Sequence, residues 1–344
     1  MMDSYVSGVS VLESCRGDAL TYSLGETRIA VGGLAAYDAE RLRSLWQRCF
    51  ALRETGVRDA HLHLRFEPGA YYPNISGRGR EVFDSPRLRV WETPSGFYLQ
   101  CGASALDLDL AQGAGRGVLD ESFWSRPLQD QREFFLLGLV ILLHPRGLYG
   151  LHANGVVDDE TGYLIVGRSG SGKTTLTASL MRQGWRVLAD DALLLRDAPG
   201  GVQALALRRG FSFTDETLSY FPGLGPDRAE EDSSLVTDNG KHLMDLTPLY
   251  PHSFAAQSEP GVLLFPRVEG HARSELRPMN KTHALISLAQ QAAGILTDRA
   301  FASDQLNVLA RLVHQARSYE LLLGTDVYEN PASVADLLRN AERG

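Results

Sequence analysis

Lysine is almost missing from this sequence: among 34 basic residues, Lys173, Lys241 and Lys281 are the only lysines. A planar guanidinium does not fill the space of a compact ammonium on a flexible stem, so a chain this committed to arginine keeps lysine where that shape is needed. For Lys241 the alternative is an ordinary solvated loop charge. Cysteine is scarce too. Cys15, Cys49 and Cys101 are far apart and form no CxxC pair, which excludes a disulfide framework and a zinc module and fits reduced thiols in a cytoplasmic protein. Long apolar runs are also lacking. The longest, Phe134 to Leu143, is ten residues with Gly138 inside it, too short to cross a bilayer, so no membrane partner is expected. The start, MMDSYVSGVS, has neither the basic nor the apolar region of a secretory signal, and the triplets Asn74-Ile-Ser76 and Asn280-Lys-Thr282 are then chance glycosylation matches. Positive charge is not in excess. A net charge of -8 argues against a polyanionic partner, so no nucleic-acid function is expected.

What is present is enough apolar material for two cores, at 44% hydrophobic residues. Residues 1 to 125 read as a smaller strand-rich α+β domain. Leu88 to Trp91 and Phe97 to Cys101 flank the turn-forming stretch Glu92-Thr-Pro-Ser-Gly96, Leu106 to Leu110 alternates apolar and acidic, and Asp38 to Leu52 has helical spacing. The Gly-rich segment Gln112 to Gly117 interrupts the pattern, and a boundary is expected near Arg126. Residues 126 to 344 then alternate helices and strands as an α/β domain. Leu128 opens a long helix stopped at His144-Pro-Arg-Gly147. Tyr163 to Val166 is a strand, Thr174 to Gln183 a helix, and Val187 to Leu195 a strand around two acids. Gly261 to Phe265 and Tyr319 to Leu323 are further strands, and His283 to Leu296, Asp304 to Ala316 and Ser333 to Ala341 further helices.

The sharpest motif is Gly167-Arg168-Ser169-Gly170-Ser171-Gly172-Lys173-Thr174, with Thr175 after it. It satisfies G-x-x-x-x-G-K-[ST] between an apolar strand and a helix, the context in which glycines let successive backbone N–H groups converge on a phosphate. A nucleoside triphosphate, ATP or GTP, with Mg2+ is therefore the expected cofactor pair, ATP being the expectation for a kinase. Lys173 would neutralise the β and γ phosphates and Thr174 would offer its hydroxyl to the metal.

Such a loop does not name a reaction. Around it stand Leu151-His152-Ala-Asn-Gly upstream and Gly184-Trp-Arg-Val-Leu-Ala-Asp190-Asp191 downstream, with His152 21 residues before Lys173 and the aspartates 17 and 18 after it. Here the chain resembles the catalytic domain of the bacterial HPr kinase/phosphorylase family, whose pattern is a His before the strand, a P-loop, and an Asp-Asp pair after a Gly. The resemblance implies a P-loop kinase core of the HPr kinase / PEP carboxykinase type over 126–344. It also implies Asp190 as the base for a hydroxyl acceptor, Asp191 as a magnesium ligand (the two roles being exchangeable), and His152 as a partner of the transferring phosphoryl group.

The resemblance is strong over Leu148 to Arg196 and thinner beyond. Where the family carries a metal-binding Glu two residues before Arg-Gly, the segment Leu207-Arg208-Arg209-Gly210 has Leu207, with Asp215 or Glu216 as substitutes. The N-terminal region does not look like that family's regulatory domain. The expectation is a related kinase with a different acceptor, a serine or threonine of a peptide or small protein, as in kinases of lasso-peptide precursors, with the strand edges of residues 1 to 125 as an acceptor surface. A kinase of free amino acids, or a weakened ATP-binding regulator, is the alternative, and a homo-oligomer is left open. Lys241, in the loop Asp238-Asn-Gly-Lys241-His242, and Arg267 are further candidates for the phosphate site. His61 and His63 share a strand face, yet lack the further ligands of a metal site.

Overall fold

The computed structural model describes residues 19–57, 59–68, 79–221, 234–236, 240–292 and 299–343. Cys15, Asn74 to Ser76, Asp238 and Asn239, and the end of the expected helix at Leu296 lie outside them. The chain divides into two compact units, one of Met1–Gln47 and Leu52–Pro145, the other of Arg48–Ala51 and Arg146–Gly344. Among the described residues no helix is long and apolar enough to cross a membrane.

The first unit contains β1 (Leu20–Leu24), β2 (Thr27–Gly32), α1 (Ala36–Cys49), β3 (Arg53–Thr55), β4 (Leu62–Phe66), β5 (Arg80–Asp84), β6 (Arg89–Thr93), β7 (Gly96–Cys101), β8 (Ser104–Asp109), β9 (Ala114–Val118) and α2 (Leu128–Leu143). One mixed sheet runs β3-β1-β2-β4-β9-β8-β7-β6-β5. In β4, Leu62, Leu64 and Phe66 are buried while His63 and Arg65 between them are not, the period-2 alternation of a strand with one face on the core. The long apolar helix α2 packs on β7 and β8 and so belongs with this sheet. Gly138 is the reason it lies so close, because a Cβ there would stand 2.9 Å from Leu106 Cδ2. The break expected near Arg126 therefore falls at Pro145. A Gly-rich stretch marks a turn, whereas a domain is bounded by where its helices find partners.

The second unit contains β10 (Leu148–Leu151), β11 (Ala153–Asp158), β12 (Thr161–Val166), α3 (Lys173–Arg182), β13 (Arg186–Ala189), β14 (Leu193–Ala198), β15 (Gly201–Ala206), β16 (Phe211–Phe213), α4 (Asp215–Ser219), β17 (Ser234–Val236), β18 (His242–Met244), β19 (Gln257–Val268), β20 (Glu275–Pro278), α5 (Lys281–Ala292), α6 (Arg299–Gln315), β21 (Arg317–Leu323), α7 (Asp326–Glu329) and α8 (Pro331–Arg343). Its main sheet runs β10-β14-β15-β19-β12-β11-β13, with β21 parallel to β19 and β20 antiparallel to β21, and a small sheet runs β16-β18-β17. β12, β19 and β21 form a parallel centre inside otherwise antiparallel pairing. Helices cover both faces of the sheet. Leu164 and Val166 of β12 join Leu288 of α5 and Leu309 and Leu312 of α6, while Tyr163 and Ile165 join Leu176 and Leu180 of α3 and Val334 and Leu338 of α8. A strand buried on both faces reads as an unbroken apolar run, as Tyr163 to Val166 does. The expected single strand Val187 to Leu195 is two, β13 and β14, because Asp191 takes a left-handed φ of 68° that no strand continues through.

Candidate active site

The loop Gly167 to Gly172 leaves the C-terminal end of β12 and enters α3 at Lys173. Ligands of open α/β sheets bind at this end of parallel strands. Gly170 and Gly172 have φ of 83° and 91°, and a Cβ on Gly172 would also stand 2.6 Å from Leu323 Cδ1, so both geometry and space require glycine. A Cβ on Gly167 would meet Ser171 Oγ at 2.6 Å. Among the described residues that buried Ser171 hydroxyl has no hydrogen-bond partner, an orphaned polar atom inside a loop whose glycines keep the backbone open. These features fit a phosphate cradle. Lys173 is buried and its Nζ donates to Gly167 O at 2.7 Å and Arg168 O at 3.1 Å. Burial lowers its pKa, the charges of Asp191 and Asp190 partly offset this, and the charge of Lys241 lowers it further.

Three of the expected side chains converge on Lys173 and Thr174. His152 Nε2 is 3.4 Å from Lys173 Nζ and 3.7 Å from Asp191 Oδ1. Thr174 Oγ1 donates to Asp190 Oδ1 at 3.0 Å. Burial lowers the His152 pKa and outweighs the nearby Asp191, which favours the neutral imidazole. Thr175, also buried, shares a hydroxyl contact with Thr217 at 3.3 Å and faces away from this group of acids.

The two aspartates differ sharply. Asp190 is 0% exposed. Its Oδ1 accepts from Asn154 Nδ2 at 2.6 Å as well as from Thr174, and its Oδ2 accepts from the Ser212 N–H at 3.2 Å. Burial, with the adjacent Asp191 charge, pushes its pKa up to about 6. Full burial behind these three donors turns its carboxylate away from an acceptor hydroxyl, which favours the exchange of roles that the resemblance left open for the two aspartates. Asp191 has a side chain 27% exposed and a left-handed backbone that turns it towards His152. Burial acts to raise its pKa, but Arg208, His152 and Lys173 together hold it well below the usual carboxylate range.

Two residues that sequence reasoning passed over complete the arrangement. Asn154, fully buried on β11, donates to Asp190 and to Thr177 Oγ1 and accepts from the Asp191 N–H at 3.0 Å, so one amide orients both acids. The signal was a primary amide inside an apolar strand, which is expensive unless its hydrogen bonds are made. Arg208 is 2% exposed and donates to Asp191 Oδ2 at 2.7 Å and to Ser212 Oγ at 2.7 Å. Leu207 beside it is buried and offers no ligand. Asp215 is an exposed partner of His242, at 2.7 Å, and Arg267 pairs on the surface with Glu269 at 2.5 Å, so neither joins the site.

Among the described residues no cluster of three or more His, Cys, Asp and Glu side chains is arranged for a metal ion. The oxygen pair of Thr174 and Asp190 nonetheless suits a hard cation such as Mg2+, which takes one or two protein oxygens and leaves the rest to water and phosphate.

No family model matches the chain, and no curated protein matches it. Among solved structures, an Hpr(Ser) kinase/phosphatase from Coxiella burnetii is a structural neighbour at 14% identity and a TM-score of 0.29, over 56% of this chain and 88% of that one. A likeness that loose decides nothing about chemistry, and the residues carry the reading.

Proposed function

We propose that the second unit is the catalytic unit of an ATP- and Mg2+-dependent kinase that transfers the γ-phosphate to a serine or threonine hydroxyl of a peptide or small protein. The observation that carries this is the convergence of Lys173, Thr174, His152, Asp190 and Asp191 at the end of a glycine loop with an orphaned buried hydroxyl. Loop N–H groups and Lys173 would take the phosphates, and Thr174 with Asp190 would hold Mg2+, which when bound neutralises charge on the phosphate oxygens. Asp191, the more accessible acid, would accept the hydroxyl proton in place of Asp190. Reach comes first in choosing a general base, and the depressed pKa of Asp191 would make it a weak one, assisting transfer mainly by orienting the hydroxyl. Neutral His152 would donate a hydrogen bond to the transferring group, and Lys241 would add positive charge beside it.

The deciding assay is radiolabelled ATP with candidate serine peptides, free serine, or no acceptor. Label in a peptide supports the reading, and label in free serine replaces it with a metabolite kinase. ATP binding without transfer to either replaces it with a nucleotide-binding regulator.

A further inference from the structure

We infer that Arg208 is a positioning residue for this reaction: it fixes the Asp191 carboxylate by tying it to β16. The inference rests on the kinase reading for its chemistry and on geometry for its structural half. Arg208 lies between β15 and β16 and is almost completely buried. Its two terminal nitrogens point to different elements, one to Asp191 Oδ2 and the other to Ser212 Oγ, each at 2.7 Å. Its backbone grips the same turn, with Arg208 N donating to Ala192 O at 3.0 Å and Arg208 O accepting from Asp190 N at 3.3 Å. The segment held in this way is the one where the chain takes a left-handed φ at Asp191, a conformation that a non-glycine residue keeps only when its surroundings over-determine it.

The consequence for Asp191 is an asymmetry between its oxygens. Oδ2 is committed to Arg208, while Oδ1 is the one near His152 Nε2. Ser212 contributes at both ends, since its N–H also binds Asp190 Oδ2 while its hydroxyl takes the Arg208 arm. A buried ion pair is weak evidence for stability, because packed apolar side chains of equal volume often do as well. A guanidinium whose two arms join an acid beside the glycine loop to the small sheet is better accounted for by orientation. Lysine cannot reproduce it, having one nitrogen where two divergent donors are used.

The test uses Arg208→Gln, Arg208→Lys, Asp191→Asn and the double variant Arg208→Gln/Asp191→Asn in the full chain. If Arg208 acts through Asp191, Arg208→Gln keeps ATP affinity within about threefold and lowers kcat about 100-fold, the scale of loss for a misplaced catalytic group. Arg208→Lys recovers part of that loss. In the Asp191→Asn background, Arg208→Gln then costs no further turnover, as expected for residues acting in series. Unchanged kcat in Arg208→Gln, a loss confined to KM, or additive losses in the double variant would overturn the inference. Should Arg208→Gln fail to fold, the double variant, which leaves no unpaired buried ion, is compared with Asp191→Asn alone, where equal turnover supports and lower turnover opposes it. If the wild-type chain neither binds ATP nor transfers phosphate, the kinase reading has failed by itself. Crystal structures of Arg208→Gln and Arg208→Lys then decide the positioning: a displaced Asp191 carboxylate supports it, and an unmoved one rejects it.

Discussion

Asp130 in the first unit is 5% exposed and lies between two guanidiniums, with Arg126 Nη2 3.1 Å from one oxygen and Arg87 Nε 3.3 Å from the other. Asp190 in the second unit is buried more deeply, yet its described partners are neutral: an amide, a hydroxyl and a backbone N–H. The first arrangement cancels the charge where it arises, in the first turn of α2 where a carboxylate is also favoured by the helix dipole. The second leaves a negative charge to be balanced by something else, and the cations nearest to hand, Arg208 and Lys173, are bonded to Asp191 and to the loop carbonyls. Asp130, deeply buried between its own arginines, is a structural fixture, unlike the partly exposed Asp191 that Arg208 holds. A buried acid held by neutral donors beside a glycine loop is a candidate for chemistry, because among the described residues no cation is hydrogen-bonded to it.

The sharpest way to break this comparison is at Asp191, the more exposed member of the functional pair. Asp191→Asn is expected to lower phosphoryl transfer about 100- to 10,000-fold while ATP affinity is retained, the range for a positioned general base. Transfer timed at saturating ATP, with affinity from titration calorimetry, checks it, and wild-type turnover would remove Asp191 from the mechanism. Lys173→Ala should lose both quantities, with transfer down about 100- to 1,000-fold.

Next in size is the structural acid. Arg126→Met leaves Asp130 with a longer and more exposed partner in Arg87 alone, and a loss of about 1–3 kcal/mol in unfolding free energy is expected, with ATP affinity unchanged. Urea denaturation alongside nucleotide titration separates the two. A fall in affinity without a fall in stability would mean that Asp130 is no mere fixture.

The pH dependence should differ as well. The Asp190 pKa is raised in the folded chain, so the folded state holds its proton more tightly than the unfolded state, whose carboxyl titrates near the ordinary value of about 3.9. Its contribution is full below that pH and is lost as pH rises through about 6. Asp190→Asn cannot titrate. The stability of the wild type relative to Asp190→Asn should therefore decline between about pH 4 and about pH 6 and level off above, by about 1.4 kcal/mol for every tenfold difference in proton affinity between the folded and unfolded states. Thermal melts across that range read it, and a gap that widens with pH would mean that folding lowers the Asp190 pKa instead of raising it. The smallest effect is expected at Lys241. Its removal should lower transfer a few-fold, to about tenfold, the scale of one partly exposed charge acting across water, whereas Lys281→Ala, which removes a surface partner of His314, should leave transfer unchanged. Equal turnover in the two variants would show that lysine scarcity carries no information about Lys241.

How much of this was legible beforehand depends on how local each cause is. The helix Leu128 to Leu143 and the hairpin of β6 and β7 follow their apolar periodicity and turn residues. The boundary near Arg126 did not hold, since the sheet that receives α2 is formed by strands well upstream. Arg208 carried no local signal either. Next to Arg209 it reads as one of two equivalent charges, and only its backbone bonds to Ala192 and Asp190, with Asp191 and Ser212 waiting for its side chain, direct it inward.

The sequence by itself determined the glycine loop, because everything that loop needs is contiguous: an apolar strand, glycines at Gly170 and Gly172 that tolerate left-handed backbone, and a helix starting at Lys173. The acids beside the loop were singled out through the resemblance to the HPr kinase family, at whose spacing after the loop they stand. Only the tertiary structure decided which of them is accessible. Asp190 and Asp191 are identical neighbours in sequence, and they part company because Asn154, Ser212 and Arg208 arrive from three other segments. Asn154 and Ser212, with Thr174, close over the Asp190 carboxylate, while Arg208 holds one oxygen of Asp191, whose left-handed backbone leaves the other turned towards His152.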